Sequence, residues 1–197
     1  MDNYHYIIAG LPELVLNADN KSFSYDALKD AVYHSSSPKD RRFVEWLEFG
    51  TDDKNLNPHF YRTALACKNP FLRAYFALDL EIRNRKVAFI KKGDQSKMVI
   101  PGAHVHLTEE ETEKLNQIFG TANILEKEQM LDKFKWDYIN SYNQYGEFNM
   151  NVILAFLAKG KLIDRWNKLD KKTGQAMFRR LVDEVRGTFT GINFKNN

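Results

Sequence analysis

His104 and His106, separated by Val105, are the residues whose spacing first suggests chemistry. On an extended segment alternate side chains share a face, so both imidazoles could be offered to one metal ion, with Glu109 to Glu111 close behind. A zinc site needs three or four ligands, and no later His or Cys completes the set. The pair therefore reads as two ordinary loop histidines, and no metal is expected. Cys67, the single cysteine, is the candidate thiol nucleophile. Its nearest histidine, His59, lies eight residues earlier on a different face of a helix, and the setting, TALACK, suits a buried, inert thiol. Acidic groups recur at Asp52 and Asp53, Asp79 and Glu81, and Glu109 to Glu111. Each set is expected on a solvated helix face or loop. Neither GxxxxGK[ST] nor GxGxxG occurs, so no phosphate cradle is recognisable; no catalytic residue and no cofactor is assigned.

Two groups suit recognition better than reaction. Arg83, Arg85 and Lys86, with Lys91 and Lys92, form a basic cluster, and Arg179 with Arg180 a smaller one. Such groups are either simply solvated or dock an acidic partner. Trp136, Tyr138 and Tyr142, with Tyr145, lie on or beside a helical aromatic stripe whose first reading is core. Their polar tips also suit a protein interface, so Arg83, Arg85, Lys86, Trp136, Tyr138, Tyr142, Arg179 and Arg180 are the candidate contact residues.

The elements that must position these groups are helical. Asn123 caps a helix with Ile124, Leu131, Phe134, Tyr138, Tyr142 and Tyr145 along one side, and Glu126 stands where a capping box would use it. Gly146 interrupts, Asn149 or Asn151 caps again, and Val152, Ile153, Phe156, Leu157, Ile163 and Trp166 line a second helix. The two make a helical hairpin. Upstream, Gly10 and Pro12 predict a short extended or irregular segment over residues 4–16. Ser24 opens a helix that the SSSP stretch ends; Ser37, with Pro38 at the first position, opens the next. Residues 50–57 read as a polar loop, Pro58 restarts a helix through Cys67, and Phe71 to Lys92 runs without a breaker until Gly93. Thr108 and Glu111 form a capping box for a short helix stopping at Gly120, and Asp170 or Thr173 opens a last helix that Gly187 ends.

The fold class is thus all-α, a bundle of about seven or eight helices with a short irregular or extended segment near residues 94–107. Residues 1–197 read as one unit, with helical halves 1–93 and 108–197 joined by a linker, 94–107, as a candidate division. A chain of 197 residues buries a core without staples. Its 29 basic and 26 acidic residues give +3, too mild and too dispersed to argue for nucleic acid. The single cysteine fits a reducing compartment. The opening segment lacks the positive start of a signal peptide, and no apolar run reaches a membrane span. Membrane association would have to run through a partner.

The opening YHYIIAGLPEL, the ALDLEIRN of residues 77–84 and the stretch KFKWDYINSYNQYGEFNMNVILAFLAKGKLIDRW resemble a bacterial family encoded among V-type ATPase subunits in Bacteroidetes, Chlamydiae and spirochaetes. That family is similar to the C subunit of V-type ATPases, called subunit d in eukaryotic naming. The resemblance implies an all-α, funnel-like body joining the central stalk to the membrane ring, with a coupling role and no catalytic site. The implied partners are the other ATPase subunits, and the implied location is cytoplasmic, peripheral to the inner membrane through that complex. At 197 residues the chain is shorter than a C subunit of three helical modules, so it is expected to form part of such a socket or to sit elsewhere in the complex. The alternative is a small cytosolic all-α enzyme or ligand-binding protein with a pocket at Tyr138, Tyr142 or the HVH segment. A deep closed pocket with convergent titratable groups would favour the latter, and a broad groove the former.

Overall fold

The computed structural model describes residues 4–16, 23–90, 107–142 and 148–189, with side chains of the last segment described through Leu169 and again at Ala176. Among these residues the structure is entirely helical, with eight α-helices, one 3-10 turn and no strand. In chain order they are α1 (Tyr4–Ala9), α2 (Tyr25–Ser35), α3 (Pro38–Thr51), the 3-10 turn (Asp53–Asn55), α4 (Pro58–Leu65), α5 (Pro70–Ile90), α6 (Glu109–Gly120), α7 (Ile124–Tyr142) and α8 (Met150–Phe189).

Local chemistry sets most of the starts. The Ser24 hydroxyl accepts from the Ala27 amide, and that of Ser37 from the Asp40 amide ahead of a helix whose first residue is Pro38. Asn57 caps α4, Asn123 accepts from the amides of Leu125 and Glu126, and Asn149 accepts from those of Asn151 and Val152. Thr108 and Glu111 form a reciprocal capping box, each side chain bonding the other's amide.

Helix α5 is the axis of the body. Leu78, Asp79, Leu80, Glu81 and Ile82 are buried in succession, which on a spiral means burial on every side. Two apolar clusters result. The larger joins α1 to α5 with Trp136 and Ile139 of α7 and the first half of α8, around the fully enclosed Leu47, Leu72, Ile153, Leu154 and Leu157. The smaller joins Leu78 and Ile82 to Leu115, Ile118 and Phe119 of α6 and to Leu131 and Phe134 of α7. Each such aliphatic or aromatic chain contributes about 1.5–3 kcal/mol when fully withdrawn from water.

Several expectations are corrected. Residues Tyr4–Ala9 form a helix, not an extended segment, because Ile7 is buried in the larger cluster and the Tyr4 hydroxyl donates to buried Asp40 at 2.9 Å. The supposed loop after Gly50 is partly helical: α3 continues to Thr51, and Asp52 caps the 3-10 turn. Nor does a new helix open at Asp170 or Thr173, or stop at Gly187; α8 is continuous over 40 residues, about 60 Å at the usual helical rise. No proline interrupts it, Gly160 packs tightly against Phe23 and Tyr25, and Asp164 pairs with Lys168 one turn on. At the end of α5, Phe89 and Ile90 are half to mostly exposed.

A candidate docking cleft and the charges beneath it

Two of the acids that the sequence assigns to solvent, Asp79 and Glu81, are among the best-buried polar groups, whereas Asp52, Asp53, Glu109 and Glu110 are exposed as expected. Asp79 sits one residue from Leu78 and Leu80 on the enclosed axis helix, so its carboxylate must find partners inside. It finds three. Tyr61 Oη of α4 and Arg83 Nε, one turn along α5, each donate to Oδ2 at 2.7 Å, and Lys135 Nζ of α7 donates to Oδ1 at 2.8 Å. Arg83 Nη2 reaches on to Asp53 in the 3-10 turn at 2.7 Å. One carboxylate thus ties α4, α5 and α7 together, and Arg83 adds the segment after α3.

Burial alone would push the Asp79 carboxyl up, but the cations Lys135 and Arg83, hydrogen-bonded to it, outweigh burial and hold it well below the ordinary carboxylate range. The same pairing overrides burial at the two cations and raises both. The Tyr61 hydroxyl is pushed up by burial and by the adjacent charge of Asp79, so it stays a donor. Glu81, two residues along, is 2% exposed and accepts from Arg85 Nε at 2.5 Å.

A second node lies on α7 and α8. Asp132, 1% exposed, accepts from Trp166 Nε1 at 2.8 Å and Arg165 Nη1 at 3.2 Å, while Arg165 Nη2 bonds Glu128 at 2.5 Å. Here burial prevails over Arg165, Lys135 and the indole, and the Asp132 carboxyl is raised. A third node joins α2, α3 and α8: Tyr25 Oη donates to Glu48, which also pairs with Lys161 at 3.0 Å, and the Lys161 ammonium stands 4.5 Å from the centre of the Tyr25 ring. Burial and Glu48 push the Tyr25 hydroxyl far up.

Asp79, Arg83 and Lys135 of the first node, Asp132 and Arg165 of the second and Lys161 of the third line an open cleft of about 1270 Å³ between the end of α3, α5, α7 and α8. Its deeper wall carries Tyr75, Ile82, Leu131 and Leu162, and the apolar residues Ile124, Leu125 and Leu169 stand at its edge. The charged groups at its base are paired with one another rather than converging on an empty centre. Among the described residues, no group of three His, Cys, Asp or Glu could hold a metal ion, and no helix is long and apolar enough to cross a membrane.

The candidate contact residues are separated by this architecture. Arg83 and Lys86 face the cleft, the first paired and the second exposed, while Arg85 is held by Glu81. Trp136 is only 7% exposed, lies in the larger core cluster and is covered by the Lys159 ammonium 5.0 Å from its ring, so its ring is not a surface anchor. Tyr142 packs edge-on against Phe71, and Tyr138 is half-buried beside the smaller cluster. Neither lines the cleft. The side chains of Arg179 and Arg180, the histidines 104 and 106, residues 94–106 of the linker and Tyr145 lie outside the described residues. Cys67 is partly buried against the core and His59 is exposed. The sequence reading missed Asp132, Lys135 and Arg165 altogether. The signal for the first node was present in LDLEIRN, where Asp79, between large apolar neighbours, precedes Arg83 by four residues.

The fold and cleft define an all-α multi-helix protein with a broad groove floored by internally neutralised charge. The family described as "Protein of unknown function (DUF2764)" matches residues 48–188, well over half of the sequence, and the chain belongs to it. Comparison with curated proteins and with solved structures finds no match.

Proposed function

We propose that this chain is a non-catalytic subunit of a bacterial V-type rotary ATPase, coupling the central stalk to the membrane ring by contacts with other subunits. The observation that carries the reading is the cleft: it is broad and open, and its buried carboxylates Asp79 and Asp132 are satisfied by Lys135, Arg83, Arg165 and Trp166. Groups so engaged are poorly placed to act as general acids or bases, whereas an open groove beside cross-linked helices suits load-bearing contact. The ion-pair nodes tie α2, α3, α4, α5, α7 and α8 together, which is the stiffness a torque-bearing part requires. Family resemblance in the opening GLP segment, ALDLEIRN and the α7–α8 region supports the same assignment.

The test is coupling. Membranes from cells lacking the chain should retain ATP hydrolysis by the soluble head but lose ATP-driven ion pumping, and adding back the purified chain should restore it. Pumping at the parental rate without the chain would refute the assignment.

A further inference from the structure

We propose that residues 4–16 form a strap that undocks from α3 and α8 as one unit while the rest of the bundle stays folded, with the hydrogen bond from Tyr4 to buried Asp40 as its latch. Helix α1 has six residues, well short of the about 12–15 at which an isolated helix becomes even marginal in water, so it exists only because it is docked. The segment ends that helix on itself: the Gly10 amide donates to the carbonyls of Tyr6 and Ile7, and the Leu11 amide to that of Ile8. Its hold on the body is by side chains. Ile7 is buried in the larger apolar cluster, while Tyr4, Ile8, Leu11, Leu14 and Leu16 pack on that cluster only partly buried. Tyr6, at 72%, and Val15, at 50%, are left in solvent. Just before α8 the His5 ring lies 4.3 Å from that of Phe148, itself half-exposed.

The polar end of the strap is weakly held. Tyr4 Oη donates to Asp40 Oδ2 at 2.9 Å, and Ser37 Oγ donates to the same oxygen at 2.7 Å. Asp40 is 4% exposed and, unlike Asp79 and Asp132, is bonded to no cation among the described residues. Its place in the first turn of α3 gives it a favourable helix dipole but no countercharge. Closing the strap over a carboxylate held by hydroxyls withdraws charge from water for a small return, and opening gives the hydration back. The apolar side chains therefore favour the closed strap while the buried charge opposes it, and the opening free energy falls below that of the cation-paired core. Docked, the strap covers the apolar face between the start of α3 and the start of α8. Undocked, it leaves that face open, so access to this side of the bundle is under its control.

The experiment is hydrogen–deuterium exchange of the full chain at neutral pH, read by mass spectrometry with single-residue fragmentation, on the parent, Tyr4→Phe, Tyr6→Phe and Ile7→Ala proteins. In the parent the amides of Ile8 to Leu11, which close the turns of α1, should exchange together while those of Leu78 to Ile82 stay protected. Tyr4→Phe deletes a hydrogen bond to a charged group and should speed exchange of the strap about tenfold, leaving the α5 amides and the melting temperature unchanged. Tyr6→Phe, on a largely exposed ring, should change neither. Ile7→Ala, which thins the apolar contact, should also speed the strap and spare α5. Strap amides as protected as those of α5, Tyr4→Phe indistinguishable from Tyr6→Phe, or variants that speed strap and α5 alike would overturn the proposal. So would protection that climbs steadily from Ile8 to Leu11 and ignores Tyr4, the mark of ordinary end fraying.

Discussion

Replacing Asp79 by asparagine removes one negative charge from the centre of the first node while keeping the side chain's shape. Lys135, with 20% of its side chain in solvent, loses its carboxylate, whereas Arg83 retains Asp53. Removing one partner of a buried pair costs about 3–5 kcal/mol, and the residual exposure of Lys135 argues for the lower end, about 3 kcal/mol. For a domain of this size each kcal/mol lowers Tm by about 2–4 °C, so Asp79→Asn should melt about 6–12 °C below the parent. The assay is thermal unfolding followed by far-ultraviolet circular dichroism at neutral pH. In the Asp79→Asn/Lys135→Met double variant no uncompensated ammonium remains, and at least half of the loss should return. A single variant within about 2 °C of the parent, or a double variant as unstable as the two single losses summed, would refute the claim that this node clamps the helices.

The two buried aspartates should respond to pH with opposite sign. The depressed Asp79 carboxyl contributes stability present above the unfolded carboxylate range, about 3.9, and lost as pH falls through its lower folded value. The raised Asp132 contributes most below that range and progressively less as pH rises through its folded value, so in denaturant titrations Asp79→Asn should flatten the acid side and Asp132→Asn the limb above it. Gly50→Ala should destabilise by about 1–3 kcal/mol, measured by denaturant midpoint, because a Cβ there falls on the rings of Phe76 and Phe60 despite the gain in helix propensity. Ser37→Ala should cost about 1 kcal/mol by the same measurement, since its hydroxyl caps α3 and also donates to Asp40 at 2.7 Å.

What could be read from the residues in advance is what local chemistry decides. Ser24, Ser37 with Pro38, Thr108 with Glu111, and Asn123 each announce a helix start by the hydrogen bond their side chains can make within three residues, and the structure has those bonds. The all-α class followed from the same punctuation. Misreadings arose where a distant contact decides. Nothing within residues 4–9 says that Ile7 will be enclosed by other helices, and nothing near Asp170 says that α8 will run on. Asp79 read as a surface acid because a periodicity argument grants each helix one wet face, but α5 is packed on all sides and has none at that level. Lys135 was missed because its partner lies 56 positions away. The cleft was illegible for the same reason: its walls come from four stretches of chain, and only their packing brings Lys86, Leu125 and Lys168 around one space.

We propose that this helical body acts while held by the subunits of a rotary ATPase. Native mass spectrometry of the complex extracted from membranes under mild detergent, with the chain affinity-tagged, tests it most directly. The account predicts the chain in fixed stoichiometry with ATPase stalk and ring subunits, released when the soluble head is stripped. Recovery of the chain only as a free monomer, alongside an intact ATPase that lacks it, would contradict the account.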